Sequence, residues 1–321
     1  METKLIEAVP VRHWGRWVSA VVVGLLAVGL AYQVIVNPNF HWDVVAANLL
    51  APDICQAVGF TLALTVGAMV LGVLLAVTMA VMRRSENPVL RGVATFYIWF
   101  FRGTPIYTQL IFWGLMGTLW PTMTFGIPFT SIEFFTVTPG NMFGGLNATM
   151  FFYAVVGLGV NEGAYLAEIV RSGLNSVDAG QEEAAKALGM SSGQVLRRVV
   201  LPQAMRVIVP PTGNETISML KTTSLVTAVP LTLELTATTS AKGSSSFLPV
   251  PFLLVAAVWY LVITSILMVG QYYLEKYYGR GANRDAGKVG RRASAKAKVS
   301  RQAAITASGT TTDDPFIEYT P

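Results

Sequence analysis

Two stretches of this chain, residues 17–36 and 57–82, contain no Asp, Glu, Lys or Arg. Each is long enough to cross the hydrocarbon core of a bilayer as a helix, which takes about 20 residues. No other feature restricts the fold as tightly. The whole chain agrees with it: 53% of residues are apolar and 13% are charged, and the apolar ones come in long runs, not in alternating or periodic patterns. A cleaved secretory signal is the competing reading of residues 17–36. The run is long for that, and no small-x-small site follows it before Asn37-Pro38, so it reads as a retained span.

Further spans follow along the chain. The second run closes with Arg83-Arg84, and its Gly59, Gly67 and Gly72 either permit close helix packing or reflect the general abundance of glycine in membrane helices. Residues 92–120 make an apolar stretch of roughly 44 Å at the helical rise, too long for one upright crossing. Arg102, Gly103 and Pro105 mark a division within it. Residues 93–101 then form an aromatic-rich helix along the interface, residues 104–120 cross, and Arg102 anchors at the headgroup level. Residues 121–146 hold one acid, Glu133, and no Lys or Arg, and read as an outward loop with some local structure. Residues 147–170, 207–229 and 248–270 supply the remaining spans. The expected fold is all-α: a polytopic membrane protein with about six transmembrane helices. Residues 276–321 are rich in Gly, Ala, Ser, Lys and Arg without an apolar pattern, and read as a disordered basic tail.

Positive charge sets the expected orientation. Lys4, Arg12 and Arg16 precede the first span; Arg83, Arg84 and Arg91 follow the second; Lys186, Arg197, Arg198 and Arg206 follow the fourth; Lys276, Arg280 and Arg284 follow the last. The alternate loops hold only Lys242. By the positive-inside rule both termini are cytoplasmic. The basic balance therefore reports orientation, with the tail able to touch anionic lipid. Nucleic-acid binding is excluded, because no basic and aromatic platform exists outside the tail.

The longest charged interval between apolar segments is residues 179–206. Glu182, Glu183, Ala184, Ala185, Lys186, Ala187 and Leu188 are strong helix formers, Gly189 stands where a helix stops, and Ser191 or Ser192 can cap a second helix. In that second helix Val195, Val199 and Val200 make an apolar stripe, and Leu201-Pro202 is expected to end it. The result is a helical hairpin with a flat, Ala-rich face that another protein can approach closely.

Glu183-Ala184-Ala185, then Gly189, Val199 and Leu201-Pro202, resembles the EAA loop of bacterial ABC-importer permeases, with Val199 in place of the usual isoleucine. The runs FRGTPIYTQLIFWG, GAYLAEIVRSGLNSVDAGQ and LPQAMRVIVPPTGNETISMLKTTSL resemble the branch that imports polar amino acids. The likeness covers roughly residues 55–275, and several separated motifs in order are more specific than one. It implies a type I importer permease core at 57–275, preceded by an added span within 1–56. It implies that the hairpin docks on a separate ATPase subunit, present in two copies with ATP-Mg bound there and no cofactor on this chain. An extracytoplasmic binding protein would deliver the amino acid. Because no internal repeat is visible, a second permease copy or a paralogue would complete the path.

Ionisable residues inside spans mark function by default, because a charge buried in lipid needs a partner or water. The fourth span carries Glu162, Tyr165 and Glu168, at three-residue steps near one helical face. The fifth carries Asn214, Glu215, Ser218, Lys221, Thr222 and Ser224, a polar strip that cannot face lipid. Either these groups hold the bundle together, or they line a watered path where they meet the amino and carboxyl groups of a substrate. Glu168 and Arg171 lie near the inner boundary and are placed to brace the hairpin.

Other chemistries are set aside. Cys55 is the lone cysteine, and with His13 and His41 it makes no metal cluster. No G-x-x-x-x-G-K-[ST] is present, so the chain lacks the Walker route to ATP hydrolysis. The rival from another class is a self-sufficient secondary transporter or channel using Glu162, Glu215 and Lys221 as an ion relay.

Overall fold

The computed structural model describes residues 14–127, 130–138, 143 and 145–279. Helix α1, Trp14–Val36, buries none of its residues against the rest of the chain. A 3-10 turn at Pro38–Phe40 leads to the short α2, Trp42–Asn48. Helix α3, Pro52–Arg83, starts with a proline in its first turn, where the missing N–H is one the helix leaves unbonded anyway. Helix α4, Pro88–Gly103, is capped by Asn87, whose side chain accepts the Val89 N–H at 2.9 Å. Helices α5, Ile106–Gly114, and α6, Met116–Leu119, follow. The loop beyond them forms an antiparallel ribbon of β1, Met123–Gly126, and β2, Glu133–Val137.

Helix α7, Leu146–Asn175, is the centre of the bundle and packs along α3. Glycines on both helices allow the approach. A Cβ on Gly159 would lie 2.9 Å from Leu71 Cβ, and one on Gly163 would lie 2.8 Å from Leu75 Cβ. Gly67 and Gly72 receive Val155 and Glu162 in return, whereas Gly59 faces open space and takes no part. Dense packing of small residues is what drives association where lipid offers no hydrophobic gain. Leu64, Ala68, Leu110, Leu158, Leu166, Met219 and Val226 fill the resulting core.

After α7 come α8, Ala179–Ala187, and α9, Ser192–Val195. A π-helical turn at Leu196–Val200 carries the chain directly into α10, Leu201–Thr222, which continues as a 3-10 turn over Thr223–Ala228. Helix α11, Leu235–Ser245, and the long α12, Pro249–Tyr278, close the fold. A second core of Ile54, Ala57, Leu220, Leu235, Val255 and Ile263 joins α3 and α10 to α11 and α12.

Three expectations change. Leu201-Pro202 does not end the hairpin's second helix. The wider π turn shifts the hydrogen-bond ladder, and Pro202 sits in the first turn of α10, where its missing donor does no harm. Residues 104–120 are not one unbroken helix. The helix breaks at Leu115, where the Gly114 backbone runs against Val229 and Pro230; a Cβ there would lie 3.2 Å from both. Four helices, α1, α3, α7 and α12, are long and apolar enough to cross a membrane among the described residues. Helix α10 is more polar than these four, and its helical course runs on through the 3-10 turn to Ala228, next to the expected end at residue 229. Lys276 belongs to α12, and the tail beyond residue 279 lies outside the described residues.

Candidate functional site

The hairpin is built by local chemistry. Asp178 caps α8, accepting the Gly180 N–H at 2.7 Å. At the other end Gly189 takes φ +81°, a left-handed conformation that an L side chain resists. Its N–H reaches the Lys186 carbonyl at 2.9 Å, and the Met190 N–H reaches the Ala185 carbonyl at 3.2 Å, the paired bonds of a Schellman stop. Ser191, not Ser192, caps α9, and the Gln194 side chain accepts the Ser191 N–H at 2.9 Å.

Packing then sorts the motif residues. Ala185 is buried with Leu174, Val195, Val200, Ala204 and Ile208 in a small core of its own. Glu183, Ala184, Ala187 and Gly189 stay exposed, as do Leu201 and Pro202. Leu188 is 84% exposed, a large apolar side chain standing free at the tip. In the sequence Leu188 reads only as the last helix former before a helix-stopping glycine, and its exposure depends on the fold.

Ion pairs strap this hairpin to the bundle. Glu168 is held between Arg83 of α3 and Arg171 of its own helix, the latter at 2.6 Å. The neighbouring Arg84 reaches Glu182 of α8 at 3.6 Å. The Arg83-Arg84 pair at the end of α3 thus contacts both α7 and the hairpin.

The break after α4 shows how irregular backbone is tolerated at this depth. Pro105 starts α5, and Gly103 faces open space. The Gln109 amide donates to the Phe101 carbonyl (3.1 Å), the Thr104 carbonyl (3.1 Å) and the Thr104 hydroxyl (2.7 Å). Asn161 of α7 adds a bond to the Phe101 carbonyl at 2.9 Å. These two amides, unremarked in the sequence, satisfy groups that lipid would leave unpaired. Arg102 lies over the Tyr165 ring, 5.3 Å from its centroid.

Glu162, Tyr165 and Glu168 therefore do not act together. Three-residue steps on a helix drift by about 60° each. Glu162 turns inward, Tyr165 turns toward Arg102, and Glu168 turns toward Arg83. The polar strip of α10 divides as well. The hydroxyls of Thr222 and Ser224 bond back to the carbonyls of Ser218 and Lys221. Asn214, Ser218 and Lys221 line a cavity of about 310 Å³ against Gln271 and Glu275 of α12. Glu215 is half-buried and is not among the residues that line this cavity.

One buried carboxylate went unnoticed in the sequence because it sits in a connecting segment. Glu234 is fully buried and caps α11 through the N–H groups of Thr236 (2.7 Å) and Ala237 (3.2 Å). It also accepts from Thr61 of α3 at 3.2 Å and from Tyr260 of α12, so it knits three helices.

A helical membrane bundle with one buried, unpartnered carboxylate oxygen among its described residues and an exposed, strapped-on hairpin has the form of a membrane transport subunit. Residues 68–279 match the family of binding-protein-dependent transport system inner membrane components, and the chain belongs to that family. It is the membrane-spanning permease subunit of an ABC importer. It is 52% identical over 283 residues to the arginine transport system permease protein ArgU of Corynebacterium glutamicum, covering 88% of this chain and 86% of that one. The probable amino-acid ABC transporter permease protein YckA of Bacillus subtilis is 32% identical, with coverage of 75% and 97%. Among solved structures, an amino acid ABC transporter crystallised with histidines matches with a TM-score of 0.56 at 32% identity, over 70% of this chain and 94% of that one. Family membership displaces the secondary-transporter reading.

Proposed function

We propose that this permease carries a polar amino acid inward across the cytoplasmic membrane, and that its α8–α9 hairpin is the element through which ATP drives it. The observation that carries this reading is the tip of the hairpin: Glu183, Ala184, Ala187 and Leu188 exposed together above a buried Ala185. A small-residue surface with one free leucine fits a groove on a partner, because alanines admit close approach and the leucine supplies an apolar anchor. Two copies of the permease, or this chain and a paralogue, present two such hairpins to two ATPase subunits that hold ATP-Mg. An extracytoplasmic binding protein delivers the amino acid to the opposite side, where Lys242 of α11 pairs with Asp53. Both termini and the hairpin are cytoplasmic by the placement of Lys and Arg. ATP binding draws the hairpins together, and the helices pass between outward- and inward-facing arrangements through their differential affinity for the partners. Asn214, Ser218 and Lys221 on α10 line the path through the cavity they share with Gln271 and Glu275 of α12.

Uptake into vesicles carrying this chain, at fixed binding-protein concentration, tests the coupling. Uptake is expected to require the ATPase and ATP and to fall by about tenfold or more in Glu183→Lys, which reverses a charge on the docking face. Uptake that persists without the ATPase and follows a proton or sodium gradient would sink the proposal.

A further inference from the structure

A cavity of about 450 Å³ lies between the α8–α9 hairpin and the end of α3, and its walls differ in chemistry. One wall is apolar, formed by Val81 of α3, Leu174 of α7, and Leu196 and Val200 of the π turn. Leu174 and Val200 belong to the hairpin's core, but Val81 is 61% exposed and Leu196 42%. The other wall is polar: Arg84 and Ser85 just beyond α3, Glu182 and Lys186 one turn apart on α8, and Ser192 at the start of α9. Its donors are unspent. The ion pairs among the described residues leave out Lys186, and Arg84 stands 3.6 Å from Glu182, beyond hydrogen-bond reach. Ser85 Oγ accepts the Asn87 N–H at 3.2 Å and donates to nothing described, and Ser191 takes the capping role that Ser192 could have filled. Two cations and two hydroxyls thus face one carboxylate, Glu182. Helix α3 is long and apolar enough to cross the membrane, and its apolar run ends at Arg83 and Arg84, the level of the lipid headgroups.

We propose that this cavity seats an anionic phospholipid, its phosphate on Arg84, Lys186 and the two serine hydroxyls and an acyl chain over Val81 and Leu196. One cationic wall and one apolar wall at headgroup depth fit an anionic amphiphile. A free phosphate would engage the donors and leave Val81 and Leu196 in water. A zwitterionic lipid would bring another cation to a wall that already holds two. The surface offered to the ATPase is the neighbouring stripe of α8, with Glu183 and Ala187, so the lipid does not compete with it. The lipid ties α3 to α8 where the protein itself supplies only the loose Arg84–Glu182 contact, and so keeps the hairpin aligned with the bundle. ATP-driven uptake then depends on anionic lipid. That consequence rests on the reading of the hairpin as the coupling element, whereas the binding site does not.

Native mass spectrometry of the full permease–ATPase complex, titrated in neutral detergent with phosphatidylglycerol or phosphatidylcholine, reads the site directly. The wild type is expected to retain phosphatidylglycerol in preference to phosphatidylcholine. Lys186→Gln is expected to weaken phosphatidylglycerol binding by about fivefold, the effect of one Lys or Arg beside an anionic headgroup. Arg91→Gln, which removes an exposed cation of α4 outside the cavity, is expected to leave it unchanged. Leu196→Ser, at the exposed part of the apolar wall, is expected to weaken it as well. Size-exclusion profile and thermal unfolding report whether each variant is folded, and if Lys186→Gln is not, Arg84→Gln carries the same expectation. In vesicles, ATP-driven uptake is expected to rise several-fold when phosphatidylglycerol is added to phosphatidylcholine, and less so in Lys186→Gln. No preference between the two lipids, or equal weakening by Arg91→Gln and Lys186→Gln, overturns the proposal. So does inorganic phosphate that matches phosphatidylglycerol in affinity, which would mark a free-anion site. Uptake that needs no ATPase would instead remove the hairpin's coupling role and leave the lipid site standing, since the binding measurement involves no transport.

Discussion

Gly189 holds the hairpin's shape by its backbone alone. Its φ of +81° is in the left-handed region, and nothing lies within 4 Å of where a Cβ would stand, so any penalty of substitution is conformational and not steric. A β-branched residue there costs on the order of 1–2 kcal/mol in that conformation. Gly189→Val is expected to loosen the α8–α9 turn while the bundle stays folded. Limited proteolysis should show faster cutting near residue 189, ATPase co-purification should fall several-fold, and thermal unfolding of the membrane core should not move. Gly189→Asn, which tolerates this conformation better, should show a milder form of the same effect. The sequence made the stop at Gly189 legible, because a glycine after a run of helix formers is a local signal. It could not show that Glu162 Oε1 is left without a partner, because its stem packs against Gly72, ninety positions away.

At the level of elements, the end of α3 is what couples the bundle to the hairpin. Arg83 binds Glu168 on α7, and Arg84 reaches Glu182 on α8. The second pair is part-exposed, so its direct contribution to stability is small, about 0–1 kcal/mol. Its expected role is alignment. Arg84→Glu places like charges together and should lower ATP-driven uptake several-fold with little change in unfolding temperature. The exchanged pair Arg84→Glu with Glu182→Arg should restore most of it, and a double-mutant cycle measures the coupling. No recovery in the exchanged pair would show that Arg84 acts otherwise. The hairpin and the FRGTP break were readable from sequence because caps, glycines and prolines are local. The π turn that carries the hairpin into α10 was not, since its wider hydrogen-bond ring is selected by the burial of Val195 and Val200 against Ala204 and Ile208. The amides that seal the FRGTP break were equally hidden: Asn161 reaches it from 60 positions away.

On the scale of the whole molecule, α1 stands apart. It has no buried residue and lies outside the matched family region, which begins at residue 68. Replacing α1 with an unrelated apolar membrane helix of equal length should leave the thermal stability of the remaining bundle unchanged within about 0.5 kcal/mol, as expected when no packing is removed. A larger loss would show that α1 packs in the membrane in a way its own chain does not reveal. The rest is one connected body, in which α7 touches α3, α4, α5 and α10. Hydropathy, charge placement and the hairpin motif are properties of short windows, so the sequence alone determined the membrane class, the apolar runs of α1, α3, α7 and α12, and the α8–α9 hairpin. The third and fifth expected spans are interrupted at α5–α6 and polar in α10, so a window that counts only apolarity does not pick them out. The tertiary structure alone decided which polar residues are satisfied. It spends Glu168 and Glu234 on ties between helices, sends Tyr165 to Arg102, and leaves Glu162 Oε1 buried without a hydrogen-bond partner. The physical reason is that a side chain's partner is chosen by which helices meet and how each is rotated about its axis, and neither is written within one span.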